Sequence, residues 1–220
     1  MSDTTTETNI FNSSGIKIQV SKIISDFHQT GYGTSPNVLT GGSTFTYASD
    51  GSAGALTLLA SVNSTNVATI NFSNYLSSNY DNYLVVMEGV VPIVDGSNIL
   101  MRVGTGTTPT YQTTSYAGVI SRITSTGISE TTHATTSYTI SITNTVGSEK
   151  GGGELNLFNT QNSTNWKIFI SSLVYRVAAG SRTYAQCGGR RANGTVLTSV
   201  QFLTSSGNIT GIFKLYGYKN

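Results

Sequence analysis

Charge is scarce in this chain: Asp, Glu, Lys and Arg together make up 10% of its 220 residues, against about 25% in an ordinary soluble domain. Cysteine occurs once, histidine twice and proline three times. Each shortage excludes a class of protein. A single cysteine, Cys187, forms no intramolecular disulfide, which rules out a disulfide-stapled secreted scaffold. His28 and His133 stand apart, with no H-x-x-H, C-x-x-C or H-E-x-x-H spacing. No metal site is expected, and no cofactor. No G-x-S-x-G elbow anchors a Ser-His-Asp hydrolase. No apolar run approaches 18 residues, so no membrane insertion by a spanning helix is expected. The opening MSDTTTETNIFNSSG has neither a basic region nor an apolar core. A secretory leader is therefore not expected, and synthesis and retention in a cytosol until lysis are.

What replaces charge is hydroxyl and amide. Ser, Thr and Asn account for 81 residues, with 24 Gly besides. Disordered chains also carry little apolar mass, but they lack aromatic and β-branched residues. Here there are 12 Tyr and 8 Phe among many Val, Ile and Thr, which suit a pleated, half-buried surface. The few charges are unevenly placed. All ten acids lie at or before Glu154, and residues 155–220 carry seven cations and no acid, so a net charge of +2 divides into −5 and +7. The two halves pair within one fold, or the basic part meets an acidic neighbouring subunit or an anionic glycan. No basic run interleaves with aromatics in a nucleic-acid motif, so nucleic acid is not expected as a partner.

Periodicity then sets the fold class. Ile18, Val20, Ile23, Ile24 and Phe27 recur at helical spacing with Ser21 as an N-cap, predicting one short helix over 21–28. Residues 29–54 read as a Gly, Ser and Thr-rich connector. From Ala55 onward, eleven short runs such as YLVVMEGVV, WKIFISSLVYRV and GIFKLYGY alternate with turn signals. This predicts an all-β antiparallel sandwich or jelly roll over 53–220, with an up-and-down barrel as the alternative, preceded by an attachment arm over 1–52. Asn193-Gly194 predicts a hairpin between RTYAQCGGRR and TVLTSVQFL. The stretch SETTHATTS reads as a loop. In the last run, Phe213 and Leu215 share one side and Ile212, Lys214, Tyr216 and Tyr218 the other. Both sides are heavy, so this strand is expected to be buried twice or covered by another subunit.

Catalysis finds little purchase. Asp81, Glu88 and Asp95 form the densest acidic group, and a glycosidase needs two carboxylates roughly 5–9 Å apart. Glu88 is expected instead to pair with Arg102 on the next strand. GTGTTP at 104–109 lacks the Lys-Ser/Thr of a phosphate loop, and DGSN at 95–98 reads as a hairpin turn. Cys187 is expected to pack inside a strand. The aromatics say more: Tyr75, Tyr80, Tyr111 and Tyr116 among Asn and Ser suit a sugar or protein surface, or else cap the ends of the sandwich core. Tyr216, Tyr218, Arg190 and Arg191 are candidate subunit contacts.

These segments resemble a family of bacteriophage virion proteins. The matching elements are the SxYDNY lead-in (Ser78, Tyr80, Asp81, Asn82, Tyr83), the DGSNILMRVG pair of strands, and the closing SSGNI-x-G-x-F-x-LYG from Ser205 through Gly217. The resemblance covers roughly residues 55–220. Thr105 through Gly152 matches nothing in it. It implies a non-enzymatic β-sandwich of the virion, assembled in the host cytoplasm and released by lysis. The expected role is a tail-associated fibre, spike or baseplate subunit acting in assembly and host-surface attachment. The alternative is a capsid-decoration or head-fibre protein, and a glycan-cleaving enzyme is the rival from another class. Partners implied are other virion proteins, copies of the same chain (a trimer by resemblance), and a host surface glycan.

Overall fold

The computed structural model describes residues 9–11, 17–19, 56–125, 127–141, 150–176 and 182–219. The helix expected over 21–28, the connector over 29–54 and His28 lie outside the described residues. The chain divides into two units, Met1–Ala53 and Gly54–Asn220. In the first, β1 (Asn9–Phe11) and β2 (Lys17–Gln19) pair antiparallel, with Ile10 opposite Ile18.

The second unit is an antiparallel β-sandwich, and every regular element among its described residues is a strand. In chain order these are β3 (Leu56–Val67), β4 (Thr69–Phe72), β5 (Tyr80–Pro92), β6 (Ile99–Thr105), β7 (Thr110–Tyr111), β8 (Tyr116–Thr124), β9 (Gly127–Thr135), β10 (Tyr138–Ser141), β11 (Gly151–Phe158), β12 (Lys167–Arg176), β13 (Arg182–Arg191), β14 (Ser199–Thr204) and β15 (Ile209–Lys219). The larger sheet has eight strands in the order β3-β15-β5-β11-β12-β13-β8-β9. The smaller runs β10-β6-β14-β4, with β7 beside β6.

Alternation builds the core. On β12, Phe169, Ser171, Leu173 and Tyr175 point inward and are buried, while Ile168, Ile170, Val174 and Arg176 are exposed. Phe213 of β15 meets Phe202 of β14 across the sandwich with ring centroids 4.9 Å apart. Burying a side chain of that size contributes about 1.5–3 kcal/mol. On β5 the period of two shifts in MEGVV. Met87 and Val90 are both buried, because Gly89 at φ +61° adds one residue to β5 relative to β11, where Gly153 faces Met87 and Gly151 faces Val90. Glycine adopts that left-handed backbone without steric cost, and the bulge resets the alternation. At the other end of the small sheet, Tyr138 of β10 reaches across to donate a hydrogen bond to the Cys187 carbonyl (2.8 Å), while the Cys187 thiol donates to the Ile140 carbonyl (3.0 Å). The ring lies where a Cβ on Gly189 would be, 2.6 Å from it.

Three sequence expectations are corrected. Asn193-Gly194 makes no hairpin: β13 and β14 belong to different sheets, and 192–198 is a crossover. Asn193 Oδ1 accepts from the backbone N–H and hydroxyl of Thr195, an Asx turn that leads the chain across instead. Glu88 does not pair with Arg102, because β5 and β6 lie in opposite sheets; it pairs with Lys214 of the adjacent β15 at 2.5 Å. SETTHATTS is not a loop, since residues 127–135 form β9, paired along its length with β8. The final strand is held inside the larger sheet, pairing β3 on one side and β5 on the other, with Phe213 and Leu215 buried and Tyr216 and Tyr218 half-buried.

Candidate binding surface and outer sheet face

Four loops meet at one end of the sandwich: 73–79, 106–115, 159–166 and 192–198. Backbone hydrogen bonds lock them together. The Leu76 N–H donates to the Thr198 carbonyl (3.0 Å), Thr160 to Asp81 (3.1 Å), Leu197 to Thr160 (3.0 Å) and Thr198 to Gly104 (2.9 Å). Asn side chains do the local work. Asn74 takes φ +62° and donates through Nδ2 to the Thr107 carbonyl at 2.9 Å. Asn162 Oδ1 accepts from the N–H groups of Thr164 (2.9 Å) and Asn165 (2.7 Å). Asn tolerates such turns because its amide replaces a backbone partner. The loop end is thus rigid, polar and almost free of charge, which suits adaptable hydrogen bonding.

Aromatic rings stand on it. Tyr75 is exposed and packs edge-on against Phe72, centroids 6.3 Å apart. Tyr111 is half-buried, its hydroxyl 3.3 Å from Ser73 Oγ. The exposed Trp166 carries the Arg190 guanidinium 3.7 Å above its ring centroid. This cation–π pair was not anticipated: the two residues lie 24 apart in sequence, and only the pairing of β12 with β13 joins them. The remaining surface candidates move inward. Tyr116 is 3% exposed; its hydroxyl accepts from the Val103 N–H (2.9 Å) and donates to the Gln112 carbonyl (3.3 Å), so it faces no solvent. Tyr80 is half-buried against the core, its ring at 5.9 Å from that of Tyr83.

Among the subunit-contact candidates, Arg191 is also corrected. It is 2% exposed, on the inward row Thr183, Ala185, Cys187, Gly189, Arg191 of β13, whereas Arg190 is outward and exposed. Tyr216 and Tyr218 lie half-buried on the outer face of the larger sheet, where the Tyr218 hydroxyl donates to Asn156 Oδ1 at 3.1 Å. Register assembles rows across that face. One runs Val174, Tyr184, Ile123, Ile128 over β12, β13, β8 and β9; all four are exposed, Ile128 at 70%. A second polar row runs Ser172, Gln186, Ser121, Glu130, and beyond it Ile170 and Val119 are exposed again on either side of Gly188. Leu56 and Leu58 are exposed on β3 at the opposite edge of the same sheet, separated from these rows by β15, β5 and β11.

The three carboxylates raised for glycan cleavage do not converge. Asp81 and Glu88 are seven residues apart on one strand, roughly 20 Å at about 3.3 Å per residue, and Asp95 lies in the turn beyond the strand's far end. Glu88 is engaged by Lys214. Among the described residues no three His, Cys, Asp or Glu side chains gather as a metal site. Burial pushes the Cys187 thiol up to about 11, which keeps it a neutral packing group. Comparison with protein-family models, curated proteins and solved structures returns no match.

Proposed function

We propose that this chain is a non-enzymatic bacteriophage virion structural protein, a tail-associated fibre, spike or baseplate subunit that assembles with its own copies and presents its loop end to the host surface. The observation that carries the reading is the outer face of the eight-stranded sheet. Isolated surface apolars are ordinary, but contiguous exposed rows mark interaction sites. Eight strands at about 4.8 Å and ten residues at about 3.3 Å make a face of roughly 1,200 Å², against about 800 Å² per partner in a standard interface. Closed symmetry would cover such a face on every copy. The hydroxyl-rich loop end with Tyr75, Tyr111 and the Trp166–Arg190 pair supports the attachment half of the role, since Tyr and Trp offer an apolar face with a polar tip.

The test is the native mass of the full-length chain by light scattering, beside Ile123→Asp and Val174→Asp variants. A trimer or higher closed ring that the variants reduce to monomer supports the proposal. A wild-type chain that stays monomeric at all concentrations, or an oligomer indifferent to both variants, removes the carrying observation and favours a capsid-decoration role.

A further inference from the structure

Lys167 and Arg191 are directly opposed across β12 and β13, and Tyr116 of β8 stands next to Arg191 in the same inward row. All three are buried, Lys167 at 0% and Arg191 at 2% exposure. Opposed residues in an antiparallel pair hold their Cβ atoms about 5 Å apart, so two cations share one interior space. Their partners are all neutral. The Lys167 ammonium donates to the carbonyls of Asn162 and Asn165. Arg191 donates through Nη2 to Gln112 Oε1 at 3.0 Å, while its Nε and Nη1 are buried with no acceptor among the described residues. The nearby Arg102 also keeps a buried Nε without one.

Electrostatics agree with the geometry. Burial, and then the charge of Arg191, lower the Lys167 pKa. Burial raises that of Tyr116, while Arg191 and Arg102 both act to lower it. The acids of the described residues sit elsewhere. Glu88 is held by Lys214, Glu130 and Glu154 lie in the outward polar row, Asp95 is beyond β5, and Asp81 is exposed at the start of β5. Buried charges in proteins are paired, and an arginine does not escape by losing its proton.

We propose that Arg191 and Lys167, with Gln112 and Tyr116, form an interior site for a small inorganic anion, of chloride or phosphate size, entered past the half-exposed Gln112. The anion accepts from the free Nε–H and Nη1–H groups of Arg191 and from the ammonium of Lys167, and it offsets their mutual repulsion. The site does not depend on a virion role. It is a stabilising ligand of the folded state, and it ties the 112–115 loop and the 162–166 turn to one charge.

The experiment follows thermal unfolding of the full-length chain at fixed ionic strength, with sodium chloride or sodium phosphate replacing sodium gluconate stepwise. The expected result is a saturating rise in Tm of roughly 2–6 °C with at least one anion. A rise with chloride alone identifies a halide site, and one with phosphate alone an oxyanion site. Arg191→Gln is expected to melt at one temperature in all three salts. Should that variant fail to fold, Lys167→Met is expected to move the anion midpoint upward about tenfold, because one charge-assisted donor is lost. A wild-type Tm indifferent to both anions overturns the proposal, as it would if a carboxylate from elsewhere in the chain filled the site. So does the same rise in Arg191→Gln, or an unmoved midpoint in Lys167→Met.

Discussion

Gly217 lies on the inward row of β15 with Phe213 and Leu215, and the Cβ that an alanine would add there falls 2.5 Å from Cγ and Cδ1 of Tyr80. That is more than 1 Å inside ordinary carbon–carbon contact. Its φ is not in the left-handed region, so the backbone itself accepts alanine, and lower unfolded-state entropy would stabilise the substitution by about 0.5–1 kcal/mol. The ring decides the sign. Tyr80 packs edge-on against Tyr83, whose hydroxyl accepts from the Ser77 N–H at 2.7 Å and donates to the Ser77 carbonyl at 2.9 Å. Tyr80 therefore has little room to retreat, and overpacking costs about 1–3 kcal/mol. The expected net loss in Gly217→Ala is about 1–2 kcal/mol, or roughly 2–8 °C in Tm for a chain of this size. In a Tyr80→Ala background the same substitution should be neutral or stabilising, a coupling of about 2 kcal/mol. Urea unfolding of the four proteins completes the cycle. Equal destabilisation by Gly217→Ala in both backgrounds would refute the steric argument.

Further outcomes are expected. Cys187 should resist a thiol reagent at pH 8 in the folded chain and react at once in denaturant, because burial pushes its pKa up to about 11; rapid labelling of the native protein would contradict its packing. For an acid whose folded pKa is raised, stability is present below the unfolded pKa and lost above it. The thiol starts from 9.0, so stability should fall as pH rises from about 9 to about 11, by up to ~2–3 kcal/mol; a urea midpoint constant over that range contradicts it. Trp166 is the only tryptophan, so Arg190→Ala should red-shift its emission and increase acrylamide quenching with little change in Tm, the exposed cation–π pair contributing about 0.5–1 kcal/mol. Gly153→Ala should destabilise severely, since the added Cβ would sit 2.1 Å from the Ser172 carbonyl oxygen of the paired strand; a folded variant of unchanged urea midpoint refutes it.

Much of the fold was legible because alternation is a local signal. GIFKLYGY separates two faces, and β15 buries Phe213 and Leu215 on one while Ile212, Lys214, Tyr216 and Tyr218 on the other stay half-buried. The allocation of strands to sheets was not legible, since it depends on pairings between segments far apart in sequence. That is why Glu88 seemed suited to Arg102, the next cation along, when its partner Lys214 lies 126 residues away. β9 escaped notice because an exposed edge strand with Ser, Thr and Glu on its described faces carries no hydrophobic period. Arg191 is instructive. The inward parity of Thr183, Ala185 and Cys187 extends to it through Gly189, but an arginine at an inward position contradicts the usual rule that charge lies outside. Tyr116 was misplaced for a related reason: tyrosine serves cores and surfaces equally, and only the Val103 and Gln112 backbone groups decide which.

The place of β15 between β3 and β5 has a consequence for the order of synthesis. β15 follows every other described strand in the chain, yet it is the only bridge between β3 and the rest of the larger sheet. While a ribosome is still translating residues 209–219, β3 and β5 each hold open a long edge that nothing earlier in the chain closes. The eight-stranded sheet is therefore completed after translation of its last strand, by long-range pairing of the kind that folds slowly. A premature stop codon upstream of Ile209 yields a nascent product with two adhesive edges.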